Sequence, residues 1–450
     1  MRFLRLLKTG SEKLLYTFNY NCKSVDFFKR NCLIIIIVLI SLVVRLVYLS
    51  HTPYYVRTYD VVNLKVGGGH LDYVKFVAKN NKLPPFNDGW EYHQEPIYYI
   101  ISAVIYNVSN SFYINPIITL QLFALTYSYI FLYFSYKIVL TLTKNKNLIF
   151  YLSVILLFFW PSGIIGSIRI GNDSLLYAFY AGSLFFIQNY YFKNRPKDLV
   201  LAFLFSALSL LTKINAIPLF LILLIVFIIK LVGKKINIKV FTASIFIIIL
   251  IIFLALGPRM NLYLKGQTND WLLANQDEGG SLLLNNRLEN YINFDIYTFL
   301  TKPLNTRDDS SGRQYFFNFL LKSSLFGEFS FPLLYQYLSI IMFIISFLSL
   351  FIFLFFLVSI FNLTKNKIDH YLILIFNLIF NCLMLLGYRI TRPYSANMDF
   401  RLIYPVIISL IFFSCTFIED DSQKNKFRYY VLHIVLLFSI LCGIFFILPM

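Results

Sequence analysis

The chain has 450 residues, 58% of them hydrophobic and only 14% charged, with a formal net charge of +18. A water-soluble chain of this length has too little interior to hide so much apolar side chain, so lipid is the expected solvent for much of it. The positive excess fits basic residues gathering in cytoplasmic connectors, and with no soluble basic face in sight nucleic acid is excluded as a partner.

In chain order, apolar runs predict spans at 32–50, 115–143, 147–164, 174–192, 199–212, 214–233, 240–257, 333–361, 370–388, 402–418 and 428–448, about eleven in all. The first follows a basic polar stretch that reaches Arg30, so 1–31 reads as a cytoplasmic N-terminus and not as a cleaved leader. Five basic clusters then fall in alternate connectors: Lys144 and Lys146; Lys193, Arg195 and Lys197; Lys234, Lys235 and Lys239; Lys365 and Lys367; Lys424, Lys426 and Arg428. Placing them all inside leaves the loops 51–114 and 258–332 outside, with a transmembrane module over 32–257 and further spans over 333–450. Only one crossing is then allowed between Asp60 and Lys144, so the short apolar piece 96–108 reads as an interfacial or re-entrant helix. Cys22, Cys32, Cys382, Cys415 and Cys442 avoid the two long loops, so no structural disulfide is expected.

The chemistry-bearing residues crowd the outward segments. The first loop carries Asp60, then Gly67-Gly68-Gly69-His70-Leu71-Asp72-Tyr73, then Trp90-Glu91-Tyr92-His93-Gln94-Glu95-Pro96-Ile97-Tyr98-Tyr99. Asp60 suits a general base toward a hydroxyl. His70, Asp72, Glu91, His93 and Glu95 suit an acceptor sugar or a divalent cation. Side-chain type alone favours a plainer reading of them, as solvated loop residues and helix caps. Asn172, Asp173 and Ser174 follow Arg169 at the mouth between two spans, where Asp173 reads equally as a helix cap. Lys213, Arg259, Arg389, Arg392 and Arg401 are outward cations that run against the charge rule. An anionic partner such as a phosphate explains them. Snorkelling toward headgroups is the alternative for Lys213 and for Arg45 within the first span.

Several of these segments, taken in order, resemble GT-C glycosyltransferases of the bacterial family 39 type, which are similar to protein O-mannosyltransferases and to the lipid A aminoarabinose transferase. The likeness rests on Tyr59-Asp60, Gly69-His70-Leu71-Asp72-Tyr73, Leu83-Pro84 and Gln94-Glu95-Pro96-Ile97-Tyr98-Tyr99. It continues through Arg169-Ile170-Gly171-Asn172-Asp173, Thr212-Lys213 with Asn215-Ala216, and Phe400-Arg401 with Tyr404-Pro405. Glu95 replaces a proline of that pattern, and the interval from Asp60 to His70 is longer than usual.

The resemblance implies an all-α polytopic GT-C fold and an inverting transfer at the outer face of a bacterial cytoplasmic membrane. The sugar would come from a polyprenyl-phosphate donor and go to a hydroxyl on a lipid, protein or glycan. Asp60 would be the base, and Arg169, Lys213, Arg259 and Arg401 would hold the departing phosphate. His70, Asp72, Tyr73, Glu91, His93, Tyr98, Asn172 and Asp173 would line the acceptor and sugar region. A divalent metal on Asp60, His70, Glu91 and His93 is compatible with this chemistry but not required by it, and no other cofactor is expected. A transporter or flippase of lipid-linked glycans competes, but its charges would sit near the bilayer midplane. A glycan polymerase or ligase would share the outer arginines without needing the Asp60 and His70 loop.

The topology is checked by a single cysteine at Asn110, which should react with an impermeant thiol reagent applied from outside. Labelling only from the cytoplasm would make 96–108 a full span.

Overall fold

The computed structural model describes residues 23–62, 67–86, 88–144, 147–236, 238–266, 283–306, 308–329, 331, 336–363, 365–417 and 425–448. Cys22 and the basic N-terminus before Lys23, Lys146, Lys424 and residues 267–282 of the second long loop lie outside them. Regular structure among the described residues is helical, without strands. The helices are α1 Lys23–His51, α2 His70–Asn80, α3 Ile97–Ser111, α4 Pro116–Thr143, α5 Leu148–Phe159 and α6 Pro161–Gly166. They continue as α7 Asp173–Lys193, α8 Pro196–Leu210, α9 Ile217–Val232, α10 Ile238–Leu264, α11 Glu289–Ile292 and α12 Ile296–Thr301. The last are α13 Phe316–Phe326, α14 Gln336–Phe361, α15 Lys365–Thr391, α16 Ile407–Thr416 and α17 Asn425–Ile447. The chain divides into a unit ending at Val43 and one running from Val44 to the end, and every candidate site residue belongs to the second.

Eight of the described helices are long and apolar enough to cross a membrane, which makes the chain an all-α, multi-pass membrane protein. They fall at Asn31–His51, Pro116–Thr143, Ile214–Val232, Ile238–Leu264, Tyr337–Phe361, Lys367–Thr391, Ser395–Thr416 and Tyr429–Ile447. The other three expected spans are also helical, but differ in build. The run 147–164 breaks at Trp160, which is extended because the ring of Pro161 disfavours a helical residue before it. Helix α7 has 21 residues and carries more polar side chains, and α8 has only 15. The piece 96–108 is the 15-residue α3, which rises about 22 Å, short of the ~30 Å hydrocarbon core. It buries Tyr98, Tyr99, Ser102 and Ala103 on one face and leaves Ile100, Val104 and Val108 exposed at four-residue intervals on the other.

Helix α7 packs most closely on α8 and α4. Gly182 makes the first of these contacts, since a Cβ there would sit 2.4 Å from the Phe205 ring. Beside it the Ser183 and Ser206 hydroxyls meet at 2.6 Å, a small-residue crossing of the kind that lets membrane helices approach. A buried amide network ties α7 to α15 and to the 3-10 turn Phe400–Val406. Tyr180 donates to Asn377 Oδ1 at 3.0 Å, and Asn381 donates to the Tyr180 oxygen at 2.8 Å. Asn377 Nδ2 in turn reaches the Pro405 carbonyl at 3.2 Å and Ser409 Oγ at 3.0 Å. Buried polar side chains pair with one another here, which fixes how these elements sit.

Arg45 is fully buried and does not reach for headgroups as the snorkelling alternative has it. Its Nη1 donates at 2.9 Å to the Phe158 carbonyl, one of the acceptors left open where α5 ends. The cysteines at 32, 382, 415 and 442 are free thiols.

Replacing Gly182 by leucine should overpack the α7–α8 crossing and lower unfolding stability by about 1–3 kcal/mol. Denaturant titration in detergent micelles checks this, and an unchanged midpoint would show that the two helices part easily.

Candidate functional site

Four chain segments meet at one end of α7, and each arrives there through a local backbone device. Helix α8 stops at Leu210, and the Lys213 amide folds back to the Ser209 carbonyl at 2.9 Å. The turn is held from three sides. Its Leu211 carbonyl takes the Ile97 amide at 3.3 Å, its Thr212 carbonyl takes Asn172 Nδ2 at 3.3 Å, and Asn215 Nδ2 donates to the Leu402 carbonyl at 3.0 Å. Pro405 has no N–H, which in a 3-10 turn leaves the Leu402 carbonyl three residues earlier open for Asn215, and Tyr177 donates to the Arg401 carbonyl at 2.6 Å. Asp399 caps the same 3-10 turn by accepting the Arg401 amide at 2.9 Å.

These devices converge three cations on Asp173. Lys213 Nζ lies 2.6 Å from Oδ1, while Arg169 Nη2 and Arg401 Nη1 lie 3.8 and 3.9 Å from Oδ2. The expectation that Asp173 caps its helix is corrected: Asn172 is the cap position, no side-chain cap bond forms, and the Asp173 carboxylate is given to the cations. Arg401 also leans on Asp399, with Nε 3.4 Å from Oδ2.

The ring of Tyr59 lies against both arginines, 3.6 Å from Arg401 and 4.6 Å from Arg169. Its hydroxyl donates to Asp399 Oδ2 at 2.6 Å and accepts the Glu328 amide at 3.2 Å. Burial and the charges of Asp399 and Glu328 hold the phenol far above its ordinary value, so it stays a donor. Burial, then the neighbouring Asp399 carboxylate, raises Glu328 to about 8, and the two carboxyls share a hydrogen bond. Burial likewise raises Glu91 to about 8, with the charge of Asp60 adding to it. Asp60 thus acts electrostatically on both Glu91 and Glu328. Its own backbone is left-handed at φ +47°, uncommon for a residue other than glycine.

The glycine triplet explains how His70 reaches this region across a long interval. Gly69 packs so closely that a Cβ would lie 2.6 Å from the Asp60 carbonyl, and that carbonyl accepts the His70 amide at 2.8 Å. The Asp60 and His70 backbones are therefore adjacent; residues 63–66 between them lie outside the described residues. His70 Nδ1 bonds the Tyr99 hydroxyl at 2.7 Å and Nε2 stands 3.8 Å from Glu91. Burial and Lys213 push His70 down to about 3, so with Glu91 protonated the two are neutral neighbours and not an ion pair.

The remaining candidates are tied into structure. Asp72 accepts the Gly69 amide at 2.9 Å and so caps α2. Tyr73 stacks on Tyr99 at 3.7 Å in the interior, and the Tyr98 hydroxyl meets the Gly171 backbone. Asn172 donates to Gln94 Oε1 at 3.2 Å. Arg259 does not share Asp173; it forms a buried pair with Glu95 at 2.8 Å and donates to the His93 carbonyl at 2.6 Å. Glu95 is thus the partner that lets Arg259 be buried.

Asp60, His70, Glu91 and His93 do not form a metal-binding set; no group of three or more such donors converges among the described residues. His93 shows why, since Nδ1 lies 2.9 Å from the Trp90 carbonyl and Nε2 lies 3.2 Å from Gln94. A cavity of about 660 Å³ opens elsewhere, between Leu300, Thr306 and Phe343, and none of the expected site residues lines it.

Tyr59, Asp399 and Glu328 are site residues that sequence reasoning passed over. Tyr59 and Asp399 had a weak signal in lying beside Asp60 and Arg401; Glu328 had none. The chain matches no protein-family model and no curated protein.

Glu91 is raised in the folded chain, so its proton stabilises the fold fully below about 4.5 and that contribution is lost as pH rises to about 8. Between about 6.5 and 8, where His70 and His93 no longer offset it, Glu91→Gln should flatten the fall in thermal midpoint, read by a melt series at stepped pH. An unaltered slope would assign the fall to Glu328 alone, which titrates in the same range. Removing one partner of the Arg259 and Glu95 pair should cost about 3–5 kcal/mol, because the other charge is left buried. Arg259→Met with Glu95→Gln together should recover most of that loss in the same melts.

Proposed function

We propose that this chain is a GT-C type glycosyltransferase of the family 39 kind. It moves a sugar from a polyprenyl-phosphate donor to an acceptor hydroxyl at the outer face of a bacterial cytoplasmic membrane. The observation that carries the reading is the adjacency of two unlike chemistries. Arg169 and Arg401 lie against the ring of Tyr59, and the next residue is Asp60. A carboxylate base and a cation cluster thus meet at one point of the chain.

In this reading the eleven apolar segments are all spans, α3 lies at the interface, and the site end of α7 faces outward. Asp60 takes the proton of the acceptor hydroxyl as its oxygen bonds to the anomeric carbon. The bond from that carbon to the phosphate oxygen breaks, the electron pair leaves with polyprenyl phosphate, and configuration inverts. Arg169, Lys213 and Arg401 stabilise the charge that grows on the leaving phosphate, which competes with Asp173 for them. Arg259 is outside this set, being committed to Glu95. His70 and Glu91, both uncharged near neutral pH, suit hydrogen bonding to sugar hydroxyls and leave Asp60 as the base.

The test is transfer from polyprenyl-phosphate sugar in purified membranes, with products followed by mass analysis of glycolipids and glycoproteins. Asp60→Asn should lower the rate by about 10²–10⁴-fold with expression and folding intact. Arg401→Ala should lower it by about 10²–10³-fold. Full activity of the Asp60 variant would remove that residue from the mechanism.

A further inference from the structure

Two small spaces with mixed walls flank the Tyr59 ring. One, of about 10 Å³, is bounded by Thr58, Tyr59, His70, Arg169 and Asp173. The other, of about 20 Å³, is bounded by Tyr59, Ser162, Arg169, Tyr177, Asp399 and Arg401. Either has room for about one water, and a tetrahedral phosphate is bulkier than that. Thr58 and Ser174 in the first space and Ser162 in the second present buried hydroxyls with no partner. Tyr59 and Arg169 are common to both walls, so both side chains lie between the two spaces, which Arg401 and Asp173 also line.

The ring is carried on irregular backbone. It belongs to the non-helical segment between α1 and α2, where Arg57 at φ +51° and Asp60 at φ +47° bracket it with left-handed backbone. Its position depends on the 2.6 Å bond to Asp399 and the 3.2 Å bond from the Glu328 amide, at the end of the second long loop. Just before Glu328, Gly327 turns at φ +67° and places Phe329 against the Tyr59 ring at 4.7 Å.

We propose that Tyr59 is a gating and positioning residue for the donor. In the closed arrangement its ring fills the anion slot beside Arg169 and Arg401. The phosphate of a lipid monophosphate enters when the phenol leaves Asp399 and the Glu328 amide and the two spaces merge. This rests on the reading of the cations as a phosphate site. The apparent affinity for the phosphate is then reduced by the fraction of molecules that are closed, so weakening the latch raises it.

The experiment uses the full chain in detergent and a ten-carbon prenyl monophosphate as probe, with binding read by calorimetry and folding by thermal melts. Tyr59→Phe keeps the ring and removes the latch; it should bind about tenfold tighter than wild type. Tyr59→Ala removes the partition and should bind at least as tightly as the phenylalanine variant. Arg401→Ala should lose binding in every background, and inorganic phosphate in place of the probe separates recognition of the anion from that of its chain. Binding by Tyr59→Phe equal to or weaker than wild type, with Arg401 still required, overturns the gate and leaves the phosphate reading standing. Absence of binding by all variants, each folded, overturns both.

Discussion

One carboxylate organises the functional end of this molecule. Asp173 faces Lys213, Arg169 and Arg401, which come from different elements and would repel one another without it. Two unit charges 4 Å apart interact by about 4 kcal/mol at an effective dielectric near 20, so assembling three cations needs such a counterweight. The same arrangement leaves more positive than negative charge at that point, which is the condition for drawing in an anion. In the proposed function the donor phosphate would compete with that carboxylate for the three cations.

The convergence is achieved by helix ends and not by helix bodies. Lys213 projects from a turn where α8 has stopped, Asp173 opens α7, and Arg401 sits on a 3-10 turn whose Leu402 carbonyl Pro405 leaves open and Asn215 uses. Each of these places has backbone groups without a helical partner, and side chains from neighbouring elements fill them. The fixed frame behind them is the amide network of Asn377, Asn381 and Tyr180. Rigid helices thus support a site made from irregular backbone, the division of labour expected where such backbone is enclosed by protein in a membrane.

The loop layer is attached to that frame by fewer and more specific bonds. Trp160 Nε1 donates to the Ser324 carbonyl at 2.7 Å, and the Phe400 amide to Ser323 Oγ at 2.9 Å, which pins α13 beside the Arg401 turn. The Tyr59, Asp399 and Glu328 contacts sit next to these pins but involve a segment of strained backbone. The proposed chemistry and the proposed gate therefore occupy adjacent residues, Asp60 and Tyr59, so admission of the donor and presentation of the base are mechanically joined.

The amino-acid order by itself determined the solvent and the secondary structure. Apolar runs long enough to span lipid must become helices, because no other open segment satisfies its backbone there, and every run expected to cross is helical in the described residues. It also singled out Asp60, Arg169, Lys213 and Arg401 as unusual, since charge beside a span needs a reason. Only the tertiary structure decided which of them meet. Arg259 looked equivalent to the others by position, yet it is bound to Glu95, because a buried guanidinium takes the nearest carboxylate in space. Asp173 read equally as a cap, yet Arg169 one turn before it and Lys213 and Arg401 from elsewhere take its carboxylate. Glu328 carried no pattern and Asp399 only its nearness to Arg401, because they are joined to Tyr59 across 269 and 340 residues of chain, a distance that no local spacing encodes.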